Sequence, residues 1–351
     1  MNGSPVRFHD VTKKFGPTVA LEAFNLDIAA GEFVTLLGAS GSGKSTALNI
    51  LAGFSDATSG DVFIDSIPMQ GVPSEKRNVG MVFQSFALFP HMTVAENVAY
   101  PLRMRRRPSD EIRRKVGEAL ELVRLDALSK RKPAELSGGQ RQRVALARAI
   151  VFEPPVLLMD ECLSALDLKL REELQHEIRT IHRNLGVTVV FVTHDQTEAL
   201  TMSDRIAILE GGRIVQIDTP EFLYDRPRTR FVADFIGQSN TFEIVSSAAG
   251  KVAIPDLGLE IPLAGDAVAI ALRPERLRLV DGSSRPGEAV FEGTVEDETF
   301  FGPVVARSVR LPSGRQLEIR SARSGHGAEP APGDRISLGF DPADAAPLAA
   351  D

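Results

Sequence analysis

The chain has 351 residues, 43% of them hydrophobic and 25% charged, an ordinary globular composition with room for roughly two domains. Forty Lys and Arg against 47 Asp and Glu leave a net charge of −7, which argues against a protein whose main work is coating nucleic acid, so no nucleic-acid partner is expected. A single cysteine, Cys162, excludes an internal disulfide; no run reaches the ~18 apolar residues of a spanning helix, and Met1–Asp10 lacks a signal-peptide core, so a chain of the cytoplasm is expected.

In chain order, Val6–His9 and Leu21–Ile28 read as strand pieces. Phe33–Leu37 is a near-continuous apolar run ending in glycines, the pattern of a buried parallel strand. Val79–Phe83 is a second such run, ending at Gln84. From Pro101 to Ser137 the texture turns helical: Ile112, Val116, Leu120 and Val123 share one helix face, while Arg113, Arg114 and Lys115 read as its solvated side. Val156–Met159 is another buried strand. Leu166, Leu170, Leu174, Ile178, Ile181 and Leu185 mark a long amphipathic helix. Thr188–Thr193 is β-branched and strand-like, and Ile206–Leu209 with Ile214–Ile217 flank Gly211-Gly212 as a hairpin. Thr219-Pro220 is an N-cap followed by proline at a first helical position. Beyond Gly237, short strand-like runs recur at Phe242–Val245, Val268–Leu272, Leu277–Val280, Gly293–Glu296, Gln316–Ile319 and Ile336–Phe340. They predict a small all-β region, with an Ala/Pro-rich end, Pro342–Asp351, expected to fray.

Chemistry concentrates in three places. Gly38, Ala39, Ser40, Gly41, Ser42, Gly43, Lys44, Ser45 and Thr46 follow a predicted strand and open a predicted helix, the setting a phosphate-binding loop requires. Glycines let successive backbone N–H groups curl around phosphate oxygens, and the helix adds its positive dipole end. Lys44 reaches the outer phosphates and the Ser45 hydroxyl ligates Mg²⁺. Val156–Met159 delivers Asp160 to the metal side of those phosphates and Glu161 to a water aimed at the terminal one. Leu136 precedes Ser137, Gly138, Gly139 and Gln140, where Ser137 caps a second helix and offers a second anion cradle. One nucleotide does not need two cradles from one chain; two copies associating head to tail use both.

The order Gly38–Thr46, Gln84, Leu136–Gln140, Val156–Glu161, Ser164-Ala-Leu-Asp167 and His194 resembles the ATP-binding subunit of an ABC transporter. The β-rich tail resembles the TOBE domain of bacterial solute importers. The resemblance implies an α/β P-loop NTPase fold with an inserted helical subdomain at about 86–150. The ATP-binding domain then covers 1–236 and a small OB-like all-β TOBE domain covers 237–351. It implies ATP and Mg²⁺, with Phe15 stacked on adenine, although phenylalanine is as readily a core residue. Gln84 contacts Mg²⁺ or the attacking water, His194 holds the γ-phosphate and orients Glu161, and Asp167 couples two sites across a dimer. Phe86, Leu88, Phe89 and Met92 form either a groove for a permease helix or ordinary core.

Many members carry proline after the acidic pair where Cys162 stands, a position with no assigned catalytic role; it reads as a small buried side chain or a redox sensor. The expected partners are a second copy, two transmembrane permease subunits and, indirectly, an extracytoplasmic solute-binding protein, at the cytoplasmic face of the cell membrane. The stretches 160–171 and 193–204 resemble spermidine/putrescine importers most, with ferric iron, sulfate and sugar importers sharing much of the pattern. A DNA-repair ABC ATPase is disfavoured because the Lys44 to Leu136 interval holds no long coiled coil, and a translation type because there is one phosphate loop. A P-loop kinase leaves Leu136–Gln140 unexplained.

Overall fold

A computed structural model describes residues 3–164, 167–246, 250–263, 267–280, 284–323 and 329–350. The chain divides into two compact units, Met1–Pro220 and Glu221–Asp351.

The first unit opens with a hairpin of β1 (Val6–Phe15) and β2 (Thr18–Ile28). Both strands run longer than their apolar pieces predict. Register shifts around Asp10 and Ala23, both with positive φ, interrupt the alternation by which a strand is recognised. Then come β3 (Phe33–Gly38), α1 (Lys44–Ala52), β4 (Ser59–Ile64), β5 (Ile67–Pro68) and β6 (Val79–Val82). Three helices follow: α2 (Val94–Met104), α3 (Ser109–Leu122) and α4 (Gly138–Ile150). The unit continues with β7 (Val156–Asp160), α5 (Leu168–Leu185), β8 (Thr188–Thr193), α6 (Gln196–Met202), β9 (Arg205–Glu210) and β10 (Arg213–Asp218).

Two sheets result: an antiparallel one of order β2-β1-β4-β5 and a six-stranded one of order β10-β9-β3-β8-β7-β6. In the second, β6, β7, β8, β3 and β9 run parallel and β10 is antiparallel at the edge. Its central strands are buried on both faces, so alternate residues feed two different cores. Val34, Leu36, Leu158, Val190 and Val192 pack with Leu48 and Leu51 of α1 and with Phe8 and Phe24 of the antiparallel sheet. Phe33, Leu157, Met159, Val189 and Phe191 face the helical layer, meeting Val98, Leu120, Val144, Leu174 and Ile178. Val116 and Leu120 are buried and Ile112 packs against the same core, as the spacing predicts. Arg113 and Arg114 are solvated, whereas Lys115 is largely covered and pairs with Glu153 at 3.1 Å. Leu166 lies outside the described residues. Among the described residues no helix is long and apolar enough to cross a membrane.

Arg77 fixes the far end of α1. Its guanidinium donates to the carbonyls of Ile50 (2.6 Å), Leu51 (3.0 Å), Met69 (2.8 Å) and Val72 (2.8 Å). Those of Ile50 and Leu51 belong to the last turn of α1, where helical carbonyls lack partners and a cation complements the dipole. Arg77→Met is expected to destabilise the first unit by roughly 3 kcal/mol, because buried carbonyls lose charged donors, and thermal unfolding of the full chain measures it.

The second unit starts with the short helices α7 (Pro220–Asp225) and α8 (Arg230–Phe235). Strands Asn240–Glu243, Ala269–Leu272 and Ala346–Leu348 form one sheet. A five-stranded antiparallel sheet is built on Ala289–Phe300, Val304–Arg310, Gln316–Ala322 and Arg335–Phe340, with Arg278–Leu279 at its edge. Phe242, Ile270, Leu272, Phe291, Val309, Leu338 and Phe340 share one core across both sheets. The units part at Pro220, earlier than the expected 236/237. Buried Arg273 explains it: its guanidinium donates to the carbonyls of Tyr224, Ala233 and Gln238 at 2.8–3.1 Å, tying 224–238 to the β unit. The expected fraying of the chain end does not hold for Ala346–Leu348. That segment pairs with Ala269–Ala271, and Leu348 is fully buried.

Candidate active site

Parallel strands present their following loops at one sheet edge, and the carboxyl ends of such strands are where ligands bind in open α/β sheets. Here β3 ends at Gly38, β6 at Val82, β7 at Asp160 and β8 at Thr193. The loops after those four strands bring Ser45, Gln84, Asp160, Glu161 and His194 together.

The glycine-rich loop curls as its composition predicts. Gly41 and Gly43 have φ of 81° and 101°, values that L side chains rarely adopt. A Cβ on Gly43 would also lie 2.5 Å from the Ala20 carbonyl oxygen. The loop leads into α1, and no side chain caps that helix, so its first N–H groups remain available to an anion. Lys44 is buried, and its ammonium donates to the carbonyls of Gly38 and Ala39, each at 2.8 Å. Burial lowers its pKa while Glu161 and Asp160 oppose that shift. Ser45 is exposed, and its hydroxyl donates to Asp160 Oδ1 at 3.5 Å. Thr46 follows in the first turn of α1.

Asp160 and Glu161 differ in setting. Asp160 ends β7, and burial, reinforced by the neighbouring Glu161 charge, raises its pKa. Glu161 sits at φ 41°, a costly conformation for a side-chain-bearing residue. Its backbone is held there from two sides: its N–H donates to Val192 O at 2.9 Å, and the Ser164 hydroxyl donates to its carbonyl at 2.8 Å. Its carboxylate is reached from two loops. Gln84 Nε2 donates to Oε2 at 3.2 Å, and His194 Nδ1 lies 3.5 Å from Oε1. The sequence expectation that Gln84, Glu161 and His194 act at one place thus has a geometric counterpart.

The residues flanking His194 carry a resemblance in the sequence but no assigned role there. Asp195 caps α6 through Thr197 N (2.8 Å) and Glu198 N (3.1 Å), and its other oxygen accepts from Arg171 at 2.9 Å. Buried Glu198 accepts from the Thr193 hydroxyl. An aspartate two and three residues before those amides is a capping signal that the sequence does carry; the Arg171 pairing is not local and leaves no such trace.

The donor set fits Mg²⁺. Ser45 and Asp160 offer hydroxyl and carboxylate oxygen, the hard donors this ion prefers. Among the described residues no group of three or more His, Cys, Asp or Glu is placed to hold a metal ion.

Phe15 is 54% exposed with Lys13 Nζ 4.9 Å from its ring centre, so it is a surface ring and not a core residue. Phe86 is buried and Leu88 packs against the helical core, so at least these two serve as floor. Ser137 caps α4 in a reciprocal box: its hydroxyl accepts from Gln140 N (3.3 Å), and its N–H donates to Gln140 Oε1 (2.9 Å). Gly138 and Gly139 form the first turn, and a Cβ on Gly139 would meet Leu170 at 2.8 Å. Asp167 caps α5 by accepting from Leu170 N at 3.0 Å; Ala165 and Leu166 before it lie outside the described residues. Cys162 is fully buried and burial pushes its thiol up, which disfavours the thiolate a redox sensor needs.

A family model for the ABC transporter matches residues 21–164, and one for the TOBE domain matches 270–348. The chain is 46% identical over 348 residues to the spermidine/putrescine import ATP-binding protein PotA of Rubrobacter xylanophilus, covering 96% of this chain and 91% of that one. It is 45% identical over 351 residues to the protein of the same description from Methylococcus capsulatus, covering 95% and 90%. Among solved structures, the dimeric post-hydrolysis state of the ATP-binding cassette MJ0796 bound to ADP and Pi matches at TM-score 0.55 and 38% identity, over 61% of this chain and 98% of that one. The cbiO1 structure from Clostridium perfringens, part of the ABC transporter complex cbiONQ, matches at TM-score 0.58 and 29% identity, over 62% and 88%. With such identity running nearly end to end, and with a phosphate loop facing a strand-end carboxylate pair, the chain belongs to the ABC transporter family as an ATP-binding subunit that hydrolyses ATP and carries a TOBE domain.

Proposed function

We propose that two copies of this chain close on two ATP molecules with Mg²⁺ and so drive two permease subunits that import a polyamine, handed over by an extracytoplasmic binding protein. The chain works at the cytoplasmic face of the cell membrane, attached through those permeases. The observation that carries the hydrolytic part is the meeting of Gln84 and His194 on the two carboxylate oxygens of Glu161, beside the Ser45–Asp160 pair. The polyamine part is supported by the relatives, which are spermidine/putrescine import ATP-binding proteins.

In this mechanism the loop amides of Gly38–Thr46 and the Lys44 ammonium receive the phosphates, and Phe15 stacks on the adenine. Ser45 and Asp160, with Gln84 nearby, would hold Mg²⁺, whose positive charge would neutralise the charge that develops on the phosphates. Glu161 accepts the proton of the attacking water. His194 orients that carboxylate and contacts the terminal phosphate. Ser137, Gly138, Gly139 and Gln140 of the second copy present the N-terminus of α4 to the same phosphate, and Asp167 lies across the dimer. Differential affinity of open and closed dimers for ATP moves the permeases. Phe89 and Met92, half-buried on the loop after Gln84, contribute to the groove that receives a permease helix.

Uptake of labelled putrescine and spermidine by cells lacking this gene tests the reading, with complementation by the native chain or by Glu161→Gln. Loss of uptake restored by the native chain alone is expected. Polyamine uptake unchanged by the deletion would move the solute to ferric iron, sulfate or sugar.

A further inference from the structure

The loop from β6 to α2 crosses from the parallel sheet to the helical layer, and it carries Gln84. Phe86 N donates to Phe83 O at 2.9 Å, closing a turn with Gln84 and Ser85 at its corner. The next two positions are strained: Phe86 and Ala87 have φ of 61° and 45°, left-handed values that cost residues bearing a Cβ. Two side chains from the helical layer hold this loop. Asn97 of α2, fully buried, accepts from Phe89 N (2.8 Å) and donates to the carbonyls of Phe89, Met92 and Thr93 at 3.0–3.3 Å. Arg148, near the end of α4, donates from Nη2 to Phe86 O (2.8 Å) and from Nη1 to Ala87 O (2.7 Å). One planar fork therefore grips the carbonyls of both strained residues, a geometry that a lysine cannot reproduce. Burial lowers the pKa of Arg148, and the guanidinium stays close to the face of Phe89, 5.8 Å from its ring centre.

We propose that Arg148 is a positioning residue for hydrolysis: it holds the Phe86–Ala87 backbone in its strained form, and so sets the reach of Gln84 toward Glu161. This rests on the reading of Glu161 and Gln84 given above. The clamp belongs to the same helix whose first residues, Ser137 to Gln140, are assigned to the second copy's nucleotide. A displacement of α4 thus pulls directly on the turn carrying Gln84, and the arrival of a second copy at one end of the helix is felt at the other. Ala87 is exposed, so water could serve its carbonyl, whereas the bond to the Phe86 carbonyl is buried and Arg148 is what satisfies it.

The test uses the full chain and steady-state Mg-ATP hydrolysis. Arg148→Met is expected to lower kcat about tenfold to a hundredfold, as small misplacements of catalytic groups do, with KM for Mg-ATP nearly unchanged. Adding Ala87→Gly to Arg148→Met is expected to recover much of the lost kcat, because glycine takes the left-handed form without the Cβ penalty. A merely structural role for Arg148 would lower thermal stability and the amount of folded chain without lowering kcat per folded molecule, so thermal unfolding is measured beside the rates for each variant. Wild-type kcat in Arg148→Met overturns the proposal, and so does a loss that Ala87→Gly fails to relieve. Should Arg148→Met not fold, Arg148→Lys with and without Ala87→Gly makes the same comparison, since lysine keeps the charge and loses the fork. Glu161→Gln run alongside separates the two readings. Retained hydrolysis there overturns the assignment of the site itself, while lost hydrolysis there beside an unaffected Arg148→Met overturns the positioning role alone.

Discussion

Replacing Glu161 with glutamine is expected to leave ATP binding intact and to slow hydrolysis by at least about a hundredfold, the low end of what a general base contributes. The substitution is close to isosteric, and what holds residue 161 in its strained conformation is backbone: the N–H to Val192 O and the carbonyl that accepts from Ser164. The fold and the phosphate loop therefore persist. The chemistry does not, because an amide cannot take the proton of an attacking water. The hydrogen-bond pattern changes too: Gln84 and His194 now address two carboxylate oxygens, and an amide can offer an acceptor to one of them only. Binding without hydrolysis lets the nucleotide-bound state accumulate, so light scattering with Mg-ATP is expected to report a dimer for the variant at a nucleotide concentration where the native chain cycles back to monomer. A variant that hydrolyses at the native rate removes Glu161 as the base. A hydrolysis-dead variant that stays monomeric at saturating Mg-ATP keeps the base but removes the closed dimer.

The phosphate loop was legible in the sequence because its chemistry and its backbone are specified by the same residues. Gly41 and Gly43 are needed for φ, Lys44 and Ser45 for the ligand, and all lie within one local stretch. The central strands were legible because burial on both faces leaves continuous apolar runs: Thr188–Thr193 has the expected bounds, and Phe33–Gly38 runs one residue past its expected end at Leu37. The antiparallel sheet was less so. Its outer face is polar and its strands are bulged at Asp10 and Ala23, so β1 reads as four residues and extends over Val6–Phe15. Helix α2 escaped although its start is written in Thr93 and Glu96, which form a capping box. What no local pattern carries is the set of buried arginines. Arg77, Arg148 and Arg273 each satisfy carbonyls at distant chain positions, and nothing local in the sequence marks those partners. Arg273 also accounts for the unit boundary at Pro220, since the helices α7 and α8 look like a tail of the first domain until that guanidinium gathers them.

Mixing two inactive variants is expected to restore hydrolysis if each nucleotide is served by two copies. Lys44→Ala removes the buried ammonium that sits at the mouth of the phosphate loop, donating to Gly38 O and Ala39 O. Without it the outer phosphates lose a charged donor, and the affinity for ATP is expected to fall by roughly 2–3 kcal/mol, or about thirtyfold to 150-fold. Ser137→Arg leaves the phosphate loop untouched but breaks the capping box with Gln140 and puts a bulky side chain at the start of α4. Homodimers of either variant have two defective sites. In a twofold dimer built head to tail, each site takes its phosphate loop from one copy and its α4 cradle from the other. A mixed dimer therefore has one site with both defects and one with none. Random mixing makes half of the dimers mixed, so the restored rate is about a quarter of the native one when sites turn over independently. Mixed samples that stay as inactive as their parents would mean that Lys44 and Ser137 serve the same nucleotide from within one chain, or that the two sites fire only together. Mixing the native chain with Ser137→Arg decides between these: an equimolar mixture keeps about half the native rate if the sites act independently and about a quarter if they fire only together.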